Sequence, residues 1–192
     1  MKRLPQTLLI LTFLLLSWLL MQVIHECGHI IAALLSGGVV EQVVLHPLAI
    51  SRTDFATNPH PLWVAWWGAL FGSILPLLCC AFTRKFLQSY HALFVAFAGF
   101  CLMANGIYLG VGVFEAFGDA GDIVRHGGEK WQLLLFGVLT VPSGLYLWDR
   151  VSLSFGFGEE HGHTERKHFI ACAALLLLVL VAARPQLYNV SR

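Results

Sequence analysis

The 192-residue chain is 57% hydrophobic and 12% charged, with Lys+Arg 12 against Asp+Glu 11 for a net charge of +1, and its mean hydropathy is +0.72. Soluble domains carry about 25% charged residues, intrinsic disorder needs low hydrophobicity, and nucleic-acid binding needs a basic excess, so all three are excluded. What remains is an integral, multi-pass membrane protein, a single domain over residues 1–192 that partners the lipid bilayer and no nucleic acid.

Five stretches approach the roughly 20 apolar residues that cross a bilayer. The first runs from Pro5 to Ile24 and continues with polar interruptions to Leu35. Met1-Lys2-Arg3 ahead of it has the look of a secretory leader, but the apolar run is too long and lacks a small-x-small cleavage pattern, so a retained helix is expected. Its later part carries His25-Glu26-Cys27-Gly28-His29, which fits H-E-x-x-H. Residues i and i+4 share a helix face, so both imidazoles can reach one metal ion, and neutral imidazole is a good zinc ligand. Glu26 is placed to take a proton from a metal-bound water. Charged side chains inside an apolar run cost about 2.5 kcal/mol or more each, which argues that the cluster serves a purpose.

Between Gly37 and Pro61, the residues Val39, Val40, Val43, Val44 and Ile50 stand among glycine and proline punctuation, and a short β-hairpin is expected. The second apolar stretch runs from Leu62 to Phe82 around Pro76, and the third from Tyr90 to Phe117 with Asn105 inside it. Near the end of the third, Glu115, Asp119 and Asp122 are spaced i, i+4, i+7 and share a face if the helix continues; His126 follows. A catalytic zinc site needs a third protein ligand, and one of these carboxylates can supply it. Gly118 and Gly121 would let the backbone bend or approach closely there. The fourth stretch, Trp131 to Trp148, contains Pro142, and the fifth runs from Phe169 to Ala183. Between them, the polar connection from Asp149 to His168 holds Glu159, Glu160, His161 and His163, a second place to look for a metal, though a solvated loop is the simpler expectation.

The expected fold is therefore an all-α polytopic membrane protein of about five transmembrane helices, with a small β-hairpin after the first. Trp63, Trp66, Trp67, Trp131 and Trp148 fall near segment ends, as an interfacial belt would. Lys2, Arg3, Arg84, Lys85, Arg150, Arg166 and Lys167 lie on the N-terminal side, seven of the twelve cations, which favours an inside N-terminus. The five cysteines, Cys27, Cys79, Cys80, Cys101 and Cys172, are odd in number and lack C-x-x-C spacing, so free buried thiols are expected.

An H-E-x-x-H on the first hydrophobic helix, paired with Gly118-Asp119-Ala120-Gly121-Asp122 after a later one, resembles the site-2 protease family of intramembrane zinc metalloproteases. The resemblance covers about the first two-thirds of the chain. It implies that Asp119 is the third Zn²⁺ ligand. Asp122 is the alternative, because Gly118 and Ala120 stand where the family commonly has leucine and glycine. It implies a place near the active site for Asn105, where it would position substrate, and it extends to the glycine-containing run Trp67-Gly68-Ala69-Leu70-Phe71-Gly72. It also implies that the hairpin segment, Val39 to Ile50, offers an edge to an extended substrate strand. The implied activity is that of a zinc metalloendopeptidase cutting a peptide bond of a membrane protein within or beside the bilayer, with Glu26 as general base. Two other readings are a non-catalytic metal-binding membrane protein of the same fold, and a haem-binding helix bundle using His25 or His29 with His91.

Overall fold

The N-terminal apolar run forms one helix, α1 (Leu4–Leu35), of 32 residues. At 1.5 Å per residue it is about 48 Å long, more than the hydrocarbon core of a bilayer. The computed structural model describes residues 4–46, 49–157 and 166–189, the last eight of these by their helical backbone. A two-stranded antiparallel hairpin follows, β1 (Val39–Val44) and β2 (Arg52–Thr57). Its pairing runs from Val39 with Thr57 to Val44 with Arg52 and is irregular on either side of Val40. Then come α2 (Pro61–Phe86), α3 (His91–Glu115), the eight-residue α4 (Gly118–Arg125), α5 (Lys130–Val151) and α6 (Arg166–Asn189).

Among the described residues, four helices are long and apolar enough to cross a membrane: Leu4–Leu35, Pro61–Phe86, Gln88–Glu115 and Lys130–Phe155. The fifth expected segment is helical as well, as α6, and its Cys172 is buried in a cluster with Leu9 and Phe13 of α1 and Ala96 of α3. Large apolar side chains such as Leu11, Leu15, Phe114 and Val138 point outward, an arrangement that water penalises and lipid does not. Pro61 opens α2 at a position where its missing N–H costs nothing, and Pro76 and Pro142 lie inside α2 and α5, as spanning helices tolerate. The expected loop cluster Glu159, Glu160, His161 and His163 lies outside the described residues.

Among the described residues, α3 and α5 make the most extensive helix pairing. A side chain at Gly144 would strike the Gly99 carbonyl oxygen at 2.5 Å, and one at Gly137 would strike that of Gly106 at 2.9 Å. Without a hydrophobic drive between helices in lipid, small residues that let backbones touch are what hold such a pair. Trp148, expected in an interfacial belt, belongs to this contact: its Nε1 donates to the Ala96 carbonyl at 2.8 Å. Gly99 supplies the room its ring needs. All five cysteines are free thiols.

The expectation that Glu115, Asp119 and Asp122 share one helix face fails. Helix α3 stops at Glu115 because Ala116 takes a left-handed conformation (φ 48°) and Gly118 another (φ 55°). The chain turns there and re-enters the protein as α4. Ala120 and Ile123, both fully buried, anchor α4 against Ala65 and Ala69 of α2, Leu109 and Val113 of α3, and Leu133 of α5. That anchoring decides which acidic residue faces inward.

Candidate metal centre

His25 lies ten residues before the end of α1, Asn105 ten before the end of α3, and Gly72 eleven after the start of α2. Each is therefore about 15 Å along its helix from the end nearest the hairpin, so the three helices meet at one depth. His25, Glu26 and His29 are buried there, with Glu26 only 4% exposed.

Both imidazoles are held by their Nδ1 atoms. His29 Nδ1 lies 2.8 Å from the Val64 carbonyl oxygen, which can only accept, so this nitrogen carries the proton. Asn105 Nδ2 donates to the Cys101 carbonyl at 2.9 Å. Its Oδ1 is thereby turned to His25 Nδ1, 2.7 Å away, and His25 donates. In the neutral rings both Nε2 atoms are then bare acceptors. They face the same oxygen: Asp119 Oδ2 is 2.8 Å from His25 Nε2 and 3.3 Å from His29 Nε2. Three acceptors this close repel unless a proton or a metal cation lies among them. The ligand atoms of His25, His29 and Asp119 are all within 4.8 Å of one another, and the group could hold a metal ion. Two imidazole nitrogens and one carboxylate are a donor set that fits zinc with an open position, and the anchored Nδ1 atoms are the outer hydrogen bonds such ligands need.

Around Asp119 the fit is close. Its backbone N–H donates to Tyr108 Oη at 3.1 Å, and the Tyr108 ring stands edge-on to His25 at 5.8 Å between centroids. Gly118 has no room for a side chain, because the Tyr108 hydroxyl occupies that space and φ is positive. This is a physical reason for glycine where the family resemblance led to expect leucine. Burial pushes the Asp119 carboxyl up, but when the imidazoles of His29 and His25 carry protons at Nε2 their attraction outweighs burial and holds the carboxyl well below the usual range. Gly68 of α2 backs the cluster from the other side, and a Cβ there would collide with both imidazoles.

Of the residues singled out by sequence, the structure gathers His25, His29, Asp119 and Asn105, and places Glu26 beside them on α1. The Asn105 side chain, expected to position substrate, is buried and hydrogen-bonds to His25 and to the Cys101 carbonyl of α3. Asp122, the alternative ligand, points away and is half exposed, with an ion pair to Arg125 at 2.5 Å. Glu115 is exposed, and His126 Nδ1 is turned to the Asp122 carbonyl. His91, proposed as a haem partner, sits 14 residues from Asn105 on α3, about 21 Å along the axis, and contacts Thr83 instead. No pairing of His91 with His25 or His29 exists in this fold.

Sequence reasoning missed three participants. Tyr108 could have been found, since it follows Asn105 by three residues and so shares its helix face. Gly68, already named in the glycine-containing run, carried a further signal in its four-residue spacing from Gly72. The Val64 carbonyl and Thr53 had none, because their roles depend on how distant segments meet. Thr53 of β2 donates its hydroxyl to Glu26 Oε2 at 2.7 Å. Comparison of the chain with protein-family models, with curated proteins and with solved structures finds no match.

Proposed function

We propose that this chain is a multi-pass integral membrane protein, N-terminus inside, that binds Zn²⁺ through His25, His29 and Asp119 and hydrolyses a peptide bond of a membrane protein or peptide within or beside the bilayer. The observation that carries the proposal is the convergence of two bare imidazole nitrogens and a carboxylate oxygen on one point, directly beside a buried glutamate. A structural cluster would need only the ligands. A carboxylate that is not itself a ligand, held next to them at a cost in burial, is what metal-assisted hydrolysis requires.

When bound, zinc supplies a Lewis acid for the scissile carbonyl and lowers the pKa of water toward 7. The remaining work falls to side chains of the chain itself. Glu26 accepts the proton of the attacking water and passes it to the departing amine. Asn105 and the Val64 carbonyl hold the imidazoles so that Nε2, not Nδ1, faces the centre. Tyr108 fixes the backbone of Asp119. The hairpin supports substrate by strand addition, because a helical peptide bond is shielded by its own hydrogen bonds while a paired strand is extended.

The test is Glu26→Gln in the purified, zinc-loaded protein, assayed with a quenched fluorescent peptide bearing an apolar segment of about 20 residues. Bound zinc should persist and cleavage should be lost. Retained cleavage sinks the mechanism. Zinc binding with no Glu26-dependent cleavage by the wild type would favour the non-catalytic metal-binding reading.

A further inference from the structure

Outside the ligands, the densest polar contact in the described residues joins α1 to the hairpin. Gln22 Oε1 accepts from both the backbone N–H and the hydroxyl of Ser51, each at 2.8 Å. Gln22 Nε2 donates to the His46 carbonyl at 3.3 Å, and the His46 N–H donates to Ser51 Oγ at 3.3 Å. One turn further along α1, Glu26 Oε2 accepts from Thr53 at 2.7 Å. Gln22 and Ser51 are each 6% exposed, so these groups have one another and little solvent.

The spacings match. Gln22 and Glu26 are four residues apart on a helix, a rise of about 6 Å. Thr53 is the second residue of β2 and Ser51 directly precedes the strand; two residues of extended chain span about 6.6 Å and return a side chain to the same side. The approach to β2 therefore runs along α1 as a ladder of two rungs. A slip of one residue would turn both hydroxyls away and leave buried polar groups without partners, which burial penalises. The ladder has one register.

We propose that Thr53 and Gln22 are positioning residues for Glu26, an inference that rests on Glu26 being the base. Thr53 spends its only donor on Oε2 and so sets the rotation of the carboxylate. Gln22 never touches Glu26. It holds Ser51, which sets the register of β2 and brings Thr53 under the carboxylate. The hairpin and the base then move as one body, and the strand that supports substrate is indexed to the group that takes the proton.

The experiment compares Thr53→Val, Thr53→Ser, Gln22→Leu and Glu26→Gln in the zinc-loaded full chain, measuring bound zinc, kcat and KM on the same apolar fluorescent peptide. Thr53→Val should keep its zinc and its KM and lose kcat by about 10- to 100-fold, the scale of a misplaced catalytic group. Thr53→Ser, which restores the donor, should recover most of that loss, and a merely structural role would not be rescued so selectively. Gln22→Leu should lower kcat in the same direction. Wild-type kcat in Thr53→Val, or a Thr53→Ser as slow as the valine variant, overturns the proposal while an inactive Glu26→Gln leaves the base in place. A fully active Glu26→Gln, or a wild type that does not cleave, overturns both.

Discussion

Gly68→Ala adds one methyl group beside the two zinc-facing nitrogens and leaves every ligand in place. Its Cβ would stand 2.7 Å from His25 Nε2 and closer still to His29 Cε1 and Nε2, whereas ordinary contact begins at about 3.4 Å. The His25 ring must then retreat by about 0.7 Å, and His29 by more. Neither ring can do so freely, because Asn105 and the Val64 carbonyl hold their opposite edges. Zinc ligands tolerate departures of only about 0.2 Å, and overpacking of this kind costs about 1–3 kcal/mol. If that cost falls on the metal, affinity drops by about 5- to 150-fold. The helix itself should not suffer, since alanine is better than glycine in a helix interior by about 1 kcal/mol. The measurement is zinc retained by purified protein against chelators of graded strength, with helicity followed by circular dichroism. Gly72→Ala is the comparison: its Cβ would meet only the Asn105 amide, at 2.9 Å, and a smaller loss is expected. Wild-type zinc affinity in Gly68→Ala would refute the placement of α2 against the ligands.

Asp119→Ala should abolish stoichiometric zinc, while Asp122→Ala, which removes only a surface pair with Arg125, should not; metal analysis of the two variants side by side checks this. Asn105→Leu frees His25 Nδ1 from its acceptor, and losses of such outer partners weaken metal binding by about 10- to 100-fold, readable in the same chelator competition. Zinc affinity should fall as pH drops from about 7.5 to about 5.5, because imidazole ligands must give up their protons to bind the metal. Asp119, held below the usual carboxylate range, stays ionised through that window, so the slope of log affinity against pH should reflect protons on the histidines alone. A flat profile between pH 7.5 and about 5.5 would argue against His25 and His29 as ligands.

Much of the architecture was legible from local pattern. A spanning helix is announced by its own composition, so α1, α2, α3 and α5 were expected within a few residues of their ends. The first hairpin strand was announced by valines between glycine and proline, whereas Ile50, expected with them, lies outside both strands and β2 contains none of those residues. Helix spacing alone put His25 and His29 on one face. Packing was not legible: no local pattern showed that Trp148 hydrogen-bonds into α3, because the space for it comes from Gly99 on another helix.

The choice among the carboxylates shows the boundary most clearly. Sequence by itself determined that a few ionisable residues gather at two places in an otherwise apolar chain, since composition and i, i+4 spacing are properties of neighbouring residues. Only the tertiary structure decided that Asp119 meets the histidines while Asp122 meets water. That outcome depends on a left-handed Ala116 and a positive φ at Gly118, and on buried Ile123 drawing α4 inward. The site's contacts join residues 80 and 94 positions apart, as in His25 with Asn105 and with Asp119. Such pairs arise from how whole helices pack, and periodicity along one segment carries no information about them.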